Sequence, residues 1–186
     1  GGEGVKPYQP TGLWKALSHP ASNTKNYKPD TGRMVYRRSL YVYWKRTSPH
    51  PMMTLFDAPN RETSCVKRSR TNTPLQSLGL FNEKQRVEIA RMFAERLLKE
   101  RNSDEQRLDL MFNLLACREP NNQERSACNN LLDAMRKRYV NADQDAKDLL
   151  NTGEVPRDKS LNPTEHAAWT QVAATVLASD LALMLF

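Results

Sequence analysis

The chain has 186 residues, of which 39% are hydrophobic and 26% charged, and a formal net charge of +7. That composition excludes a disordered tract and gives room for one domain, or one domain with a small subdomain. With seven Gly and eleven Pro, most of the Pro outside the periodic segments, it favours helices over a turn-rich β architecture.

Residues 1–35 read as irregular, punctuated by Pro10, Pro20 and Pro29. A short helix is expected around residues 12–17, with Trp14 and Leu17 as its apolar contacts. In residues 36–46, Tyr36, Leu40, Tyr43 and Trp44 fall at i, i+4, i+7 and i+8, which suits one helix face. The same run is rich in β-formers, so a strand at 40–44 is the alternative to the preferred helix. Pro49, Pro51 and Pro59 predict an extended loop over 47–60.

Thr73-Pro74 is a helix start, because Thr can cap and Pro suits the first helical position. The spacing of Ile89, Ala90, Phe93, Ala94, Leu97 and Leu98 predicts an amphipathic helix over 83–101, with Asn82 as an interruption before it. Ser103 with Gln106 resembles a capping box, and Leu108, Met111, Phe112 and Leu115 give the next face. Arg118-Glu119-Pro120-Asn121-Asn122 breaks it, and Cys128, Leu131, Leu132, Met135 and Tyr139 mark another helix. A basic recognition face is missing on either side of that break, so two packed helices with a Pro turn are expected rather than a DNA-reading helix-turn-helix. Residues 151–162 read as a loop, and Asn162 or Thr164 starts a final helix through Trp169, Val172, Ala173, Val176 and Leu177. The fold class is therefore mostly α. It is an irregular helical domain with a long Pro-rich N-terminal segment and about five to seven helices. Residues 1–72 form a loop-rich basic-aromatic part and residues 73–186 a helical bundle, taken as one domain.

The charge is concentrated. Residues 33–70 carry nine basic groups against Asp57 and Glu62, whereas residues 71–186 carry fifteen basic and seventeen acidic ones. A local excess of this kind points to an anionic partner more directly than the overall charge does. Arg37, Arg38, Lys45 and Arg46 beside Tyr41, Tyr43 and Trp44 could grip an anionic polymer through forked guanidinium donors and aromatic faces. The alternative is that the aromatics are core and the cations solvated. Asp57, Asn60 and Glu62 could ligate a hard cation, or Asp57 and Glu62 could act as acid and base; the alternative is that they hold loop backbone. His19, His50 and His166 have no His or Cys at ligand spacing, and no metal or cofactor site is expected. Ser64, His166 and Asp180 compose a triad only on paper, without a nucleophile elbow, and no phosphate-binding glycine loop is present. Cys65, Cys117 and Cys128 lack a C-x-x-C pattern, so free thiols are favoured, with Cys117–Cys128 as the conceivable disulfide. No signal peptide and no run of membrane-spanning length is visible. A start at Gly1-Gly2-Glu3 and an apolar end at residues 181–186 suggest a piece of a longer protein.

Tyr36-Arg37-Arg38-Ser39-Leu40-Tyr41 with Trp44-Lys45-Arg46-Thr47, then Phe56-Asp57-Ala58-Pro59 and Arg68-Ser69-Arg70-Thr71-Asn72-Thr73-Pro74-Leu75-Gln76, carry a family resemblance. So do Val5-Lys6-Pro7-Tyr8-Gln9-Pro10 with Gly12-Leu13-Trp14, and Glu165-His166-Ala167-Ala168-Trp169-Thr170. In these blocks the chain resembles the C-terminal part of the planctomycete-type domain of unknown function 1553 (the PSD1 domain). The resemblance implies large, usually exported bacterial proteins with several domains, and no transferable activity. It marks Arg37, Arg38, Trp44, Asp57, Arg68, Arg70, Asn72 and Thr73 as motif residues, expected to form one packed polar cluster. Two roles are then open. One is a non-catalytic accessory or interaction module that binds a partner domain of the same parent protein or an anionic polysaccharide. The other is part of an enzyme acting on polysaccharide, with Asp57 and Glu62 in a cleft completed elsewhere. Nucleic acid is disfavoured, because an exported parent rarely meets it.

Overall fold

A computed structural model of the chain describes residues 2–69 and 71–183. Among them the structure is mostly α, and its only β pairing is an isolated parallel bridge between Val5 and Val42. Six helices have eight or more residues, and three further α-helices are one-turn pieces. The contacts divide the chain into two compact units, Gly1–Gly79 and Leu80–Phe186.

In the first unit, α1 (Leu13–Ala16) buries Trp14, but Leu17 is exposed rather than packed. The expected helix over 36–46 does not form. Two 3-10 turns, Gly32–Tyr36 and Ser39–Tyr41, lead instead into the bridge, where the Val5 N–H donates to Tyr41 O (2.7 Å) and the Tyr43 N–H to Val5 O (2.8 Å). The β-branched and aromatic residues of this run thus find tertiary backbone partners that outweigh their helical spacing. The loop expected over 47–60 contains a helix, α2 (Pro51–Leu55), because Pro51 takes the first helical position, where its missing N–H costs nothing. Helix α3 (Pro74–Asn82) starts at Pro74, as the Thr73-Pro74 pair predicts, with a reciprocal box: the Thr73 N–H donates to Gln76 Oε1 (3.1 Å) and the Gln76 N–H to Thr73 Oγ1 (3.4 Å). Gly79 lets Leu55 of α2 pack on α3, since a Cβ there would overlap the Leu55 side chain.

The second unit is a helical bundle with well-marked boundaries. Helix α4 (Lys84–Glu100) is capped by the Glu83 carboxylate, which accepts from the N–H groups of Gln85 and Arg86. Ser103 caps α5 (Asp104–Ala116), which ends at Cys117 in a left-handed conformation, φ 54°. A full capping box between Asn121 and Glu124 opens α6 (Asn122–Asn141). Helix α7 (Asp143–Leu150), not expected as a separate helix, follows after the break at Ala142. Asn162 caps α8 (Pro163–Leu177), with Pro163 at its first position, and α9 (Asp180–Leu183) closes the described chain.

Helix α8 is the hub of this unit. It packs against α4, α6 and α7, and Ala167, Ala168, Trp169, Val172 and Ala173 are wholly buried. Ala90 and Ala94 of α4 and Ala167 and Ala173 of α8 are buried in the core that the two helices share with Trp169 and Leu97, and such small side chains allow close helix approach. Cys65, Cys117 and Cys128 are all unpaired, so the conceivable disulfide is absent.

Candidate functional site

The Phe56-Asp57 block and the block beginning at Arg68 meet at the end of α2. Asp57 has a left-handed backbone, φ 54°, which turns its carboxylate back toward residue 71. There Oδ2 accepts from the Thr71 N–H (2.9 Å) and from Thr71 Oγ1 (2.6 Å). Those two hydrogen bonds, with Arg68 nearby, hold the Asp57 carboxyl below the usual carboxylate range. Arg68 donates from Nε to Asp57 O (2.9 Å) and from Nη2 to Phe56 O (2.6 Å), the carbonyls at and just past the C-cap of α2. Gln76 of α3 donates from Nε2 to Thr71 Oγ1 (2.9 Å) and to Leu55 O (2.9 Å). The result is a polar staple of Asp57, Arg68, Thr71 and Gln76. Beside it lies an open groove of about 1050 Å³ lined by Phe56, Asp57, Val66, Lys67, Arg68 and Thr71.

Elsewhere in the first unit, cations lie on aromatic rings. Arg37 stacks 3.9 Å from the Tyr41 ring and donates to Glu3 O (2.7 Å). Arg61 sits over Trp44 at 4.8 Å, Lys45 over Trp14 at 4.7 Å, and Lys6 over Tyr43 at 5.4 Å. Trp14 meets Tyr27 edge-on, and burial, with Asp30 adding, pushes the Tyr27 hydroxyl well above its ordinary value. Arg46 pairs with Glu62 at 2.6 Å. Arg33, Arg38 and Lys67 are exposed and meet no acid among the described residues.

A family model described as "Protein of unknown function (DUF1553)", PSD1, matches residues 1–150. The chain belongs to the PSD1 family. The PSD1 match takes in the whole first unit and runs to the end of α7, so α8 lies beyond it. No curated protein and no solved structure matches the chain.

The PSD1 motif residues do not gather into the single packed cluster expected of them. Asp57, Arg68 and Thr73 belong to the staple and its helix cap, Arg37 and Arg38 to the Tyr41 turn, and Trp44 lies beneath the Arg61 guanidinium. Their partners differ: Arg37 reaches Glu3 O and the Tyr41 ring, Arg68 the Phe56 and Asp57 carbonyls, and Trp44 lies under Arg61. Asn72 is exposed and holds no partner among the described residues, and Arg70 lies outside them. Asp57 and Glu62 do not form an acid–base pair. Asp57 is held ionised by Thr71, Glu62 is paired with Arg46, and Glu62 does not line the groove. Asn60 accepts from the Glu62 N–H (3.0 Å), a loop-holding role. Among the described residues no group of three or more His, Cys, Asp or Glu side chains is placed to hold a metal ion. No helix among them is long and apolar enough to cross a membrane.

Two other histidines turn out to be interior. His50 Nε2 bonds Tyr8 O (2.7 Å), and His166 is wholly buried in the second unit with its Nε2 3.0 Å from Arg91 O; Glu88 and Arg91 are wholly buried there too. Sequence reasoning missed this second polar group. The available signal was that Glu88 and Arg91 fall three apart on the buried stripe of α4 that continues through Ala94 and Leu97.

Proposed function

We propose that this chain is a non-catalytic accessory module of a larger exported bacterial protein, and that its first unit binds an anionic polysaccharide. The observation that carries the reading is the supply of uncompensated positive charge. The first unit has thirteen basic residues against four acidic ones. Arg33, Arg38 and Lys67 are exposed without an acid partner, and Arg68 lines the open groove with Lys67. A surface of one sign attracts a polymer of the other and raises its encounter rate. Sulfate or carboxylate groups along such a chain accept the forked donors of arginine. The rings of Tyr41, Trp44, Trp14 and Tyr43 already carry the protein's own cations, so the grip is through charge more than through stacking on sugar faces. The other domains of the parent protein are the remaining natural partners.

The test is a glycan array with sulfated, carboxylated and neutral polymers, followed by the triple variant Arg33→Ala, Arg38→Ala, Lys67→Ala. Binding is expected to favour the sulfated polymers, and the triple variant to lose about tenfold in affinity. Equal capture of neutral polymers, or a variant that binds as well as its parent, would show the reading to be wrong.

A further inference from the structure

The segment joining α7 to α8, residues 151–160, is held against α4 by a row of side chains one helical turn apart. Glu88 Oε1 accepts from the N–H groups of Glu154 and Val155, both at 2.7 Å. Arg91 Nη2 donates to Val155 O (2.5 Å), and Glu95 Oε2 accepts from the Asp158 N–H (3.0 Å). Lys99 pairs with Asp158 at 2.8 Å. Gly153, at φ 104°, is what admits the Glu88 side chain beneath this strap. The strap covers charge that is out of water: Glu88, Arg91 and His166 are all wholly buried. His166 Nε2 lies 3.0 Å from Arg91 O; a carbonyl only accepts, so Nε2 carries a proton. Its other nitrogen, Nδ1, is buried and makes no hydrogen bond among the described residues, nor do Glu88 Oε2, Arg91 Nε and Nη1, or Arg157 Nη1.

We propose that protonation of His166 at Nδ1 releases this strap, making the α7–α8 connection an acid-opened cover over the α4 charge row. A second proton on the ring would place a cation in the interior near the Arg91 and Arg157 guanidiniums; the nearby acid Glu95 is paired with Lys99 (2.7 Å), and the buried Glu88 faces Arg91 (3.8 Å). Arg136 of α6 is engaged with Glu165 and Asp104, and on α7 Lys147 pairs with Asp143 and Asp145 with Arg138. The remaining acid of α7, Asp148, is exposed and accepts from Gln144 Nε2 (2.8 Å). Burial holds His166 below the ordinary histidine value, against the pull of the Arg91 carbonyl and Glu95. The helices around His166 are fixed by the apolar core, whereas Glu154, Val155 and Pro156 of the strap are exposed. Lifting the strap is thus the least costly way to hydrate the new cation and separate it from Arg157.

The test is amide hydrogen exchange at Glu154, Val155 and Asp158 between pH 8 and pH 5, corrected for the intrinsic pH dependence of exchange. Because the folded-state value of His166 is lowered, protection is complete above the ordinary histidine value of roughly 6.5. It falls by about tenfold per pH unit below that value. Glu95 stays ionised throughout, since its own carboxyl sits below the usual range. His166→Gln, which keeps a donor near Nε2 but does not titrate, is expected to show flat protection. Flat protection in the parent chain, or an equal fall in His166→Gln, overturns the proposal. Should that variant fail to fold, the His166 ring titration by NMR decides: a value at or above the ordinary one overturns it, and a lowered value that tracks the three amides supports it.

Discussion

Single side chains in this protein are held by specific backbone geometry, and two of them yield measurable expectations. At Gly153 the backbone is left-handed and a Cβ would overlap Glu88. Gly153→Ala should therefore destabilise the second unit by on the order of 3 kcal/mol, read from urea unfolding, because backbone strain adds to overpacking of a buried carboxylate. At the staple, Thr71→Val removes the hydroxyl that donates to Asp57 and accepts from Gln76. The Asp57 carboxyl should then titrate closer to the ordinary aspartate value, measured by carboxyl NMR. The sign follows from the lowered folded value. The contribution of Asp57 is present above the ordinary carboxylate range and is lost as pH falls through its lowered value. Acidification below about pH 4 should loosen the backbone contact at Thr71 in the parent chain and less so in the variant.

At the level of elements, the capping residues set the boundaries. Asn121 and Asn162 each accept a hydrogen bond from the backbone N–H three residues on, at 2.9 and 3.1 Å. Asn121→Ala and Asn162→Ala should each cost about 1 kcal/mol in unfolding free energy, with helix content preserved in the folded state. These boundaries were legible in the sequence because capping is local: Thr73-Pro74, Ser103 and the break at residues 118–122 announce themselves within a few residues, and of the two starts open for the last helix, Asn162 and Thr164, it is Asn162 that caps it. The run from Tyr36 to Arg46 was not legible, because its conformation depends on Val5, more than thirty residues away. Helix α2 was hidden by reading Pro51 as a breaker when it is an initiator. The candidate site was legible as charge and as motif blocks. Its division into separate patches was not, because the partners of Arg37 and Arg68 are backbone carbonyls, which leave no mark in the sequence. The buried Glu88, Arg91 and His166 escaped for a related reason: their main partners are the Val155 and Arg91 backbone.

Across the whole molecule, charge and packing are partitioned between the two units. The second holds the dense apolar core around α8, and its charged residues largely neutralise one another, as in the Arg136 pairs with Glu165 and Asp104. The first holds little core but a net charge of +9, thirteen basic residues against four acidic, whereas the second nets −2. A binding role for the first unit therefore predicts a particular electrostatic signature rather than a particular fold. The most direct measurement is the affinity of the intact chain for a sulfated polysaccharide across a salt series. Binding by displaced counterions makes log K fall linearly with log salt, with a slope of about −3 or steeper, because several cations release counterions on binding. In the Arg33, Arg38, Lys67 triple-alanine variant the slope is expected to be shallower by about 2 to 3. An affinity independent of salt, or a slope unchanged in that variant, would rule out charge-driven binding.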